Sequence, residues 1–70
     1  QVRDLREALE VRKVVEQAKG ILMRRLQVPE AEAFRMLQRR AASQRKSIRE
    51  VAEGVWEADR FYRDLEATDD

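Results

Sequence analysis

The sequence predicts an all-α protein, a three-helix bundle whose long first helix is extended at its N-terminus as a coiled coil. Three observations support this fold class. Apolar residues recur at three- and four-residue steps along most of the chain, which is the spacing of amphipathic helices. The sole proline, Pro29, and a polar run at 43–46 divide the chain into three helical segments. A chain of 70 residues is long enough for one domain.

The first helical segment, residues 2–26, consists mostly of good helix formers. A helix of that length spans roughly 37 Å, which is more than a bundle of this size covers. We therefore expect its first turns to need a partner, and we assign residues 1–12 to a coiled-coil extension. The predicted dimer contact consists of Leu5, Ala8 and Leu9. Gly20 costs up to about 1 kcal/mol relative to alanine inside a helix, which suggests that a ligand or another helix approaches it closely.

The second helix is predicted to start at Pro29, because proline suits the first positions of a helix. Its expected buried face includes Phe34 and Leu37. Ser47 and Glu50 form a capping box, in which each side chain reaches the backbone N–H of the other residue. This box predicts the start of the third helix after a loop at 43–46. The apolar stripe of that helix is Ile48, Val51, Ala52, Val55, either Ala58 or Asp59, and Tyr62.

Trp56 lies beside the stripe of the third helix, and three roles remain open for it: covering the first helix, forming a dimer contact, or stacking on a base. The helical domain is predicted to occupy residues 12–66. Residues 67–70 are small and polar, and they are predicted to fray.

Composition weighs against catalysis and metal binding. The chain has no cysteine and no histidine, and its two glycines do not form a phosphate-binding loop. We expect no catalytic residue, no metal site and no cofactor. The longest apolar run has three residues, which excludes a membrane span of about 20. No signal peptide is recognisable, and the absence of cysteine is compatible with a reducing cytoplasm, where we place the protein.

The charges are unevenly distributed, although the net charge is only +1. Residues 11–49 hold eleven basic residues against three acidic ones, and residues 50–70 hold two against eight. A basic centre followed by an acidic tail suggests a polyanionic or acidic partner for the centre. The alternative is that these charges simply solvate the helices. Arginine predominates among the cations, which favours phosphate or base recognition.

In an up-down-up bundle, the loop at 43–46 returns towards residues 13–19 of the first helix. This topology would gather about seven cations at one end of the domain, where backbone N–H groups of 48–50 would also be available to phosphate. The aromatic residues lie mostly elsewhere, which disfavours a stacking channel for single strands. A helix-turn-helix is also disfavoured, because its recognition helix would bring four acidic residues to DNA.

Three blocks in order carry a family resemblance: the hexapeptide at 18–23 (AKGILM), the run at 32–37 (EAFRML) and the run at 48–52 (IREVA). Together they resemble the ANTAR domain, a bacterial RNA-binding domain of transcription antitermination. The resemblance implies a three-helix domain that dimerises, binds small RNA hairpin loops and prevents a terminator from forming. It also implies a sensor or receiver domain, which is not present in this chain.

The resemblance implies that residues of the first helix and of the second loop face RNA. Combined with the basic residues that bracket that loop, the predicted RNA-binding set is Lys19, Gly20, Arg24, Arg39, Arg45, Lys46, Ser47 and Arg49. Lys19 is the member of the hexapeptide that packing does not explain. Arg45 stands where the family often has asparagine. The competing hypothesis is a helical dimerisation or protein-interaction module whose basic face meets an acidic partner.

Overall fold

The computed structural model describes residues 2–67, with side chains from Asp4 onward. Three helices fill this range: α1 (Val2–Leu26), α2 (Glu30–Gln44) and α3 (Ile48–Ala67), and no strand occurs among the described residues. The predicted all-α fold with three helices is confirmed. Of residues 67–70, which were predicted to fray, Ala67 is the last residue of α3, and 68–70 lie outside the described range.

All three helices contribute to one small core. Its buried members are Val15, Ala18, Leu37, Val51 and Ala52, and half-buried residues such as Leu22 and Val55 pack around them. Two of these positions are alanines, which allow the helix backbones to approach closely. Leu37 is the largest fully buried side chain, and burying a leucine stabilises a fold by about 1.5–3 kcal/mol.

The turn between α1 and α2 is closed by backbone and side-chain hydrogen bonds. Gln27 adopts a left-handed conformation (φ 56°). Its backbone N–H donates to the Met23 carbonyl at 3.0 Å, and its side-chain amide donates to the Arg24 carbonyl at 2.8 Å. Pro29 then precedes α2, where its carbonyl accepts a hydrogen bond from the Ala33 N–H at 3.0 Å. These bonds satisfy backbone groups that a helix end leaves without intrahelical partners.

The C-terminus of α2 lies later than the sequence predicted. Ser43 and Gln44 belong to the helix, so the loop is 45–47 and not 43–46. Arg45 is left-handed (φ 54°, ψ 44°), and its N–H bonds the Ala42 carbonyl at 3.3 Å while the Lys46 N–H bonds the Ala41 carbonyl at 2.9 Å. This pair of bonds is a Schellman motif, which usually has glycine at the left-handed position.

The capping box at the start of α3 is confirmed. The Glu50 N–H donates to the Ser47 hydroxyl oxygen at 3.1 Å, and the Ser47 N–H donates to the Glu50 carboxylate at 3.0 Å. Such reciprocal bonds satisfy donors that the first turn of a helix would otherwise leave free. Because the Glu50 N–H already has this partner, the expectation that it is available to phosphate is wrong.

Helices α1 and α3 run in the same direction but are offset along their axes. A guanidinium nitrogen of Arg49 in the first turn of α3 lies 3.9 Å from the Glu10 carboxylate, and Asp59 contacts Arg24 and Arg25 near the end of α1. Residues 2–9 and 60–67 therefore extend past the bundle at opposite ends. This offset accounts for the elongated shape, which measures 50 × 24 × 22 Å.

Exposed apolar side chains concentrate on these two extensions. Leu5 and Leu9, which were predicted to form a dimer contact, are 66% and 60% exposed. Their exposure leaves them accessible to a partner, and the coiled coil itself stays a prediction.

Packing corrects one expectation about buried residues and decides between two residues that the sequence left open. Phe34 was predicted to lie in the core, but it is 36% exposed because it sits at the edge of the α1–α2 contact. Of the two residues left open on α3, Asp59 is buried and Ala58 is exposed. The polar member therefore faces inward, which requires compensating partners for its carboxylate.

Candidate nucleic-acid interface

Three exposed cations gather where α2 ends and α3 begins. Arg40 lies in the last turns of α2, Arg45 caps that helix, and Lys46 follows in the loop. Among the described residues, none of these three side chains makes an ion pair. We call Arg40, Arg45 and Lys46 the basic corner. Unpaired exposed cations attract a polyanion without first breaking internal contacts.

Predicted residues around the basic corner already have partners. Arg39 contacts the Glu32 carboxylate at 3.1 Å, and half-buried Arg49 contacts Glu53 at 3.2 Å. The Ser47 hydroxyl takes part in the capping box. These exposed or half-exposed bonds are weak, so an anionic ligand can compete for both arginines.

An open groove of about 730 Å³ runs beside the basic corner between α2 and α3. Its rim carries Arg39, Arg40 and Lys46. Its apolar lining is formed by Leu22, Met36, Leu37, Val51, Val55 and Ala58. A basic rim above an apolar floor can accept an anionic group at its edge and an apolar surface within.

Lys19 lies in a different environment, near the turn between α1 and α2. Its ammonium is 3.0 Å from both the Glu16 and the Glu30 carboxylates and 5.5 Å from the ring centroid of Phe34. Its side chain is only 13% exposed. Hydrogen bonds to Glu16 and Glu30 raise the pKa of Lys19 above its ordinary value of 10.5. The expectation that packing leaves Lys19 unexplained is therefore wrong.

A buried carboxylate organises the end of α1. The Asp59 side chain, 7% exposed, accepts hydrogen bonds from Arg24 at 2.9 Å and Arg25 at 2.8 Å, and Arg63 lies 3.1 Å from its second oxygen. Burial raises the pKa of Asp59, but the Arg25 hydrogen bond and the charges of the three arginines outweigh burial. The net result is a pKa below the ordinary value of 3.8. The three guanidinium groups thus stabilise the carboxylate anion.

We refer to Lys19, Arg24, Arg25 and Asp59 as the ion-paired end. Lys19 bonds Glu30, the first residue of α2, whereas Arg45 caps the other end of that 15-residue helix. At 1.5 Å per residue, about 22 Å separates Glu30 from Arg45. The predicted convergence of Lys19 with Arg45 and Lys46 is therefore wrong, since the cations divide between the two ends of α2.

Gly20 faces open space. Apart from its chain neighbours and the backbone of its own helix, no atom lies within 4 Å of the position that a Cβ would occupy there. The alternative that Gly20 admits a neighbouring helix is wrong, because no helix approaches it. The surface around Gly20 is accessible to a ligand, and its assignment to RNA stays a prediction.

Two important residues were outside the predicted set. Arg40 has no ion pair in the described part of the chain and lines the same groove as Lys46. The sequence placed Arg40 next to the loop but gave no reason to separate it from Arg39. The difference is that Glu32, seven residues before Arg39, lies two helical turns away on the same face. For Asp59, the sequence showed only that either this residue or its neighbour would face the core.

The described residues contain no group of acidic side chains suited to a metal ion. Within residues 2–67, none of the three helices is long and apolar enough to cross a bilayer.

Fold and surface charge together define a small all-helical domain with an unpaired cationic corner. The model of the ANTAR domain family matches residues 3–55. The chain is also 44% identical over 57 residues to the transcriptional regulatory protein PdtaR of two Mycobacterium tuberculosis strains. The chain belongs to the ANTAR domain family. The match covers 81% of this chain but 28% of the relative, and no solved structure matches significantly.

Proposed function

We propose that this chain is the RNA-binding domain of a bacterial transcription antitermination regulator, which binds small hairpin loops and prevents terminator formation. Its membership in the ANTAR family supports the class of function. The relative that it matches is a transcriptional regulatory protein. The cytoplasm, where transcripts are made, is the compartment that this proposal requires.

The basic corner is the observation that carries the proposal. Arg45 and Lys46 extend from a loop whose backbone is fixed by the Schellman motif and the capping box. Arg40 adds a third unpaired charge from α2. RNA is read through backbone contacts and through exposed bases of loops, and arginine supplies bidentate hydrogen bonds as well as stacking. A rigid loop with two free cations, and a third beside it on α2, suits a hairpin loop.

The ion-paired end has a supporting role in this proposal. Arg24 is held by Asp59, and Lys19 is held by two carboxylates. RNA contact by these residues would exchange existing ion pairs for phosphate contacts, which reduces the net gain. We therefore place the primary contacts at the basic corner and assign Lys19, Gly20 and Arg24 to secondary contacts at the edge of the RNA.

Homodimerisation through Leu5, Ala8 and Leu9 completes the proposal. Leu5 and Leu9 lie one helical turn apart on the part of α1 that extends past the bundle. Two copies joined there would present two basic corners to two hairpin loops, and the second binding event would become intramolecular. A sensor or receiver domain in the larger regulator would control this pairing.

The test compares two RNA hairpins with the same stem, one with a six-base loop of a candidate target and one with a scrambled loop. We expect the domain to bind the first hairpin more tightly at physiological salt. Equal affinity would show general electrostatic attraction and contradict the proposal. The competing function, a module for an acidic protein partner, would give weak binding to both hairpins.

A further inference from the structure

Helix α3 carries a second apolar stripe, which faces away from the core. Gly54, Ala58, Phe61 and Leu65 follow one another at steps of four, three and four residues. At 100° per residue, they lie on one face, roughly 100° around the helix from its core side. All four are exposed, with Phe61 at 59% and Leu65 at 51%. We call these four residues the α3 stripe.

The α3 stripe continues an existing groove. Gly54 and Ala58 line the groove between α2 and α3, and Phe61 and Leu65 lie beyond it on the extension that passes the end of α1. No atom lies within 4 Å of the Cβ position of Gly54. One half of the stripe is therefore a depression, and the other half is a pair of large projecting side chains.

Phe61, one of the two large side chains of the stripe, is held in a defined orientation. The Phe61 ring packs edge-on against Tyr62, with ring centroids 5.5 Å apart and planes at 71°. The Arg25 guanidinium lies 5.4 Å from the Tyr62 ring centroid, and Arg25 is itself fixed by Asp59. This chain of contacts positions Phe61 before any partner binds, which lowers the entropic cost of association.

We propose that the α3 stripe is a self-association surface, on which the α3 helices of two copies pack antiparallel about a two-fold axis. Antiparallel pairing centred between Ala58 and Phe61 places Phe61 of one copy opposite Ala58 of the second copy. The same register places Leu65 opposite Gly54. Each large side chain thus meets a small one, as an isologous interface requires.

Charge complementarity supports this register. The rim of the groove beside Gly54 carries Arg39, Arg40 and Lys46. With Leu65 of the second copy opposite Gly54, its Glu66 comes to the level of that rim, and the acidic end of α3 meets the basic side of the groove. A parallel arrangement would instead place Phe61 against Phe61 and the small residues against each other, leaving a gap.

This contact is separate from the predicted coiled coil, so the test removes the coiled coil first. In the full chain, Leu5→Gln with Leu9→Gln changes only exposed side chains and serves as the parent. We expect sedimentation equilibrium to show dimers of this parent. Adding Gly54→Gln should raise the dissociation constant at least about tenfold, because its side chain fills the space needed by Leu65.

Gly54→Gln is expected to fold at least as well as the parent. The added side chain has open space around it, and glutamine is a better helix former than glycine. Thermal unfolding that is unchanged or raised, together with loss of dimer, supports the proposal. A parent that is monomeric at about 1 mM, or a Gly54→Gln variant that dimerises as well as the parent, overturns it.

A charge exchange tests the register. In the same parent, Ala58→Lys and Phe61→Glu are each expected to weaken the homodimer. A 1:1 mixture of the two variants should recover dimer, because position 58 of one copy faces position 61 of the other. A mixture as weak as the separate variants overturns the antiparallel register. Hairpin binding is measured on the monomeric variants, in which no second copy covers Arg40 and Lys46, so failure of the hairpin test concerns the proposed RNA function alone.

Discussion

The two ends of α2 carry similar numbers of cations in opposite electrostatic situations. At the ion-paired end, Lys19 lies between Glu16 and Glu30, and Arg24 and Arg25 share the carboxylate of Asp59. At the basic corner, Arg40, Arg45 and Lys46 make no ion pair among the described residues. The charge of a segment therefore does not show whether its cations are available to a ligand, because that depends on their ion pairs.

This difference assigns separate tasks to the two ends. The ion pairs of Lys19 and of Asp59, each with one nearly buried member, fix the junction of α1 with α2 and α3, so their removal is expected to affect folding. Exposed cations without partners contribute little to stability, so their removal is expected to affect ligand binding. The variants below test this division of tasks.

Asp59→Asn is expected to have the largest effect on stability. The substitution keeps the shape but removes the anion that Arg24, Arg25 and Arg63 share, and it leaves a nearly buried amide with poorer hydrogen-bond partners. We expect the midpoint of thermal unfolding, followed by circular dichroism, to fall by several degrees. Glu57→Gln, an exposed carboxylate on the same helix, is the matched control. Equal midpoints for the two variants would contradict the structural role of Asp59.

The contribution of Asp59 to the stability of the fold should also depend on pH. Because its pKa is lower in the folded chain than its ordinary value of 3.8, the stabilisation is fully present above that value and disappears as the pH falls through the folded pKa. The gap in unfolding midpoint between wild type and Asp59→Asn should therefore narrow as the pH is lowered from 7 to about 2. A gap that stays constant over this range would show that the charge of Asp59 does not stabilise the fold.

Removing the basic corner should have the largest effect on RNA binding. The triple variant Arg40→Ala, Arg45→Ala, Lys46→Ala is expected to lose about a hundredfold in hairpin affinity at low salt. The slope of log affinity against log salt should become shallower by about 2, since three phosphate contacts are lost. Unfolding should change little, because the three side chains are exposed.

A second triple variant separates position from net charge. The variant Arg6→Ala, Arg35→Ala, Arg60→Ala also removes three positive charges, but from other exposed positions. We expect it to retain most of the hairpin affinity. If both triple variants lose affinity equally, binding depends on total charge, and the basic corner has no special role.

The sequence predicted the helices well, because local signals define them. The capping box of Ser47 and Glu50 and the break at Pro29 are set by neighbouring residues, and both appear in the structure. The end of α2 was misplaced because its left-handed position is occupied by Arg45, without the glycine that normally marks it.

The candidate site was harder to predict, because ion pairing depends on contacts between distant segments. Arg24 and Asp59 are 35 residues apart in the chain, and the periodicity of α3 allowed either Ala58 or Asp59 to face inward. The expected return of the second loop towards residues 13–19 grouped Lys19 with Arg45 and Lys46. The pairing of Lys19 with Glu30 becomes apparent only when the helices are packed together.

Phe34→Ala tests how much the half-exposed ring beside Lys19 contributes to stability. Truncating a fully buried phenylalanine to alanine lowers the free energy of unfolding by about 3–5 kcal/mol. Because Phe34 is 36% exposed, we expect a decrease of about 1–2 kcal/mol. The ring also lies 5.5 Å from the Lys19 ammonium, so part of the loss is a cation–π contact. Denaturant unfolding measures the change. A loss above about 3 kcal/mol would show that Phe34 is a core residue after all.

Arg45→Gly should separate stability from binding at the basic corner. Arg45 has φ 54° and ψ 44°, a conformation in which a side chain is unfavourable and glycine is not. We expect the free energy of unfolding to rise by about 0.5–1 kcal/mol, while hairpin affinity falls because a phosphate contact is lost. Denaturant unfolding and hairpin titration of the same sample would measure both. Unchanged affinity in this variant would remove Arg45 from the interface.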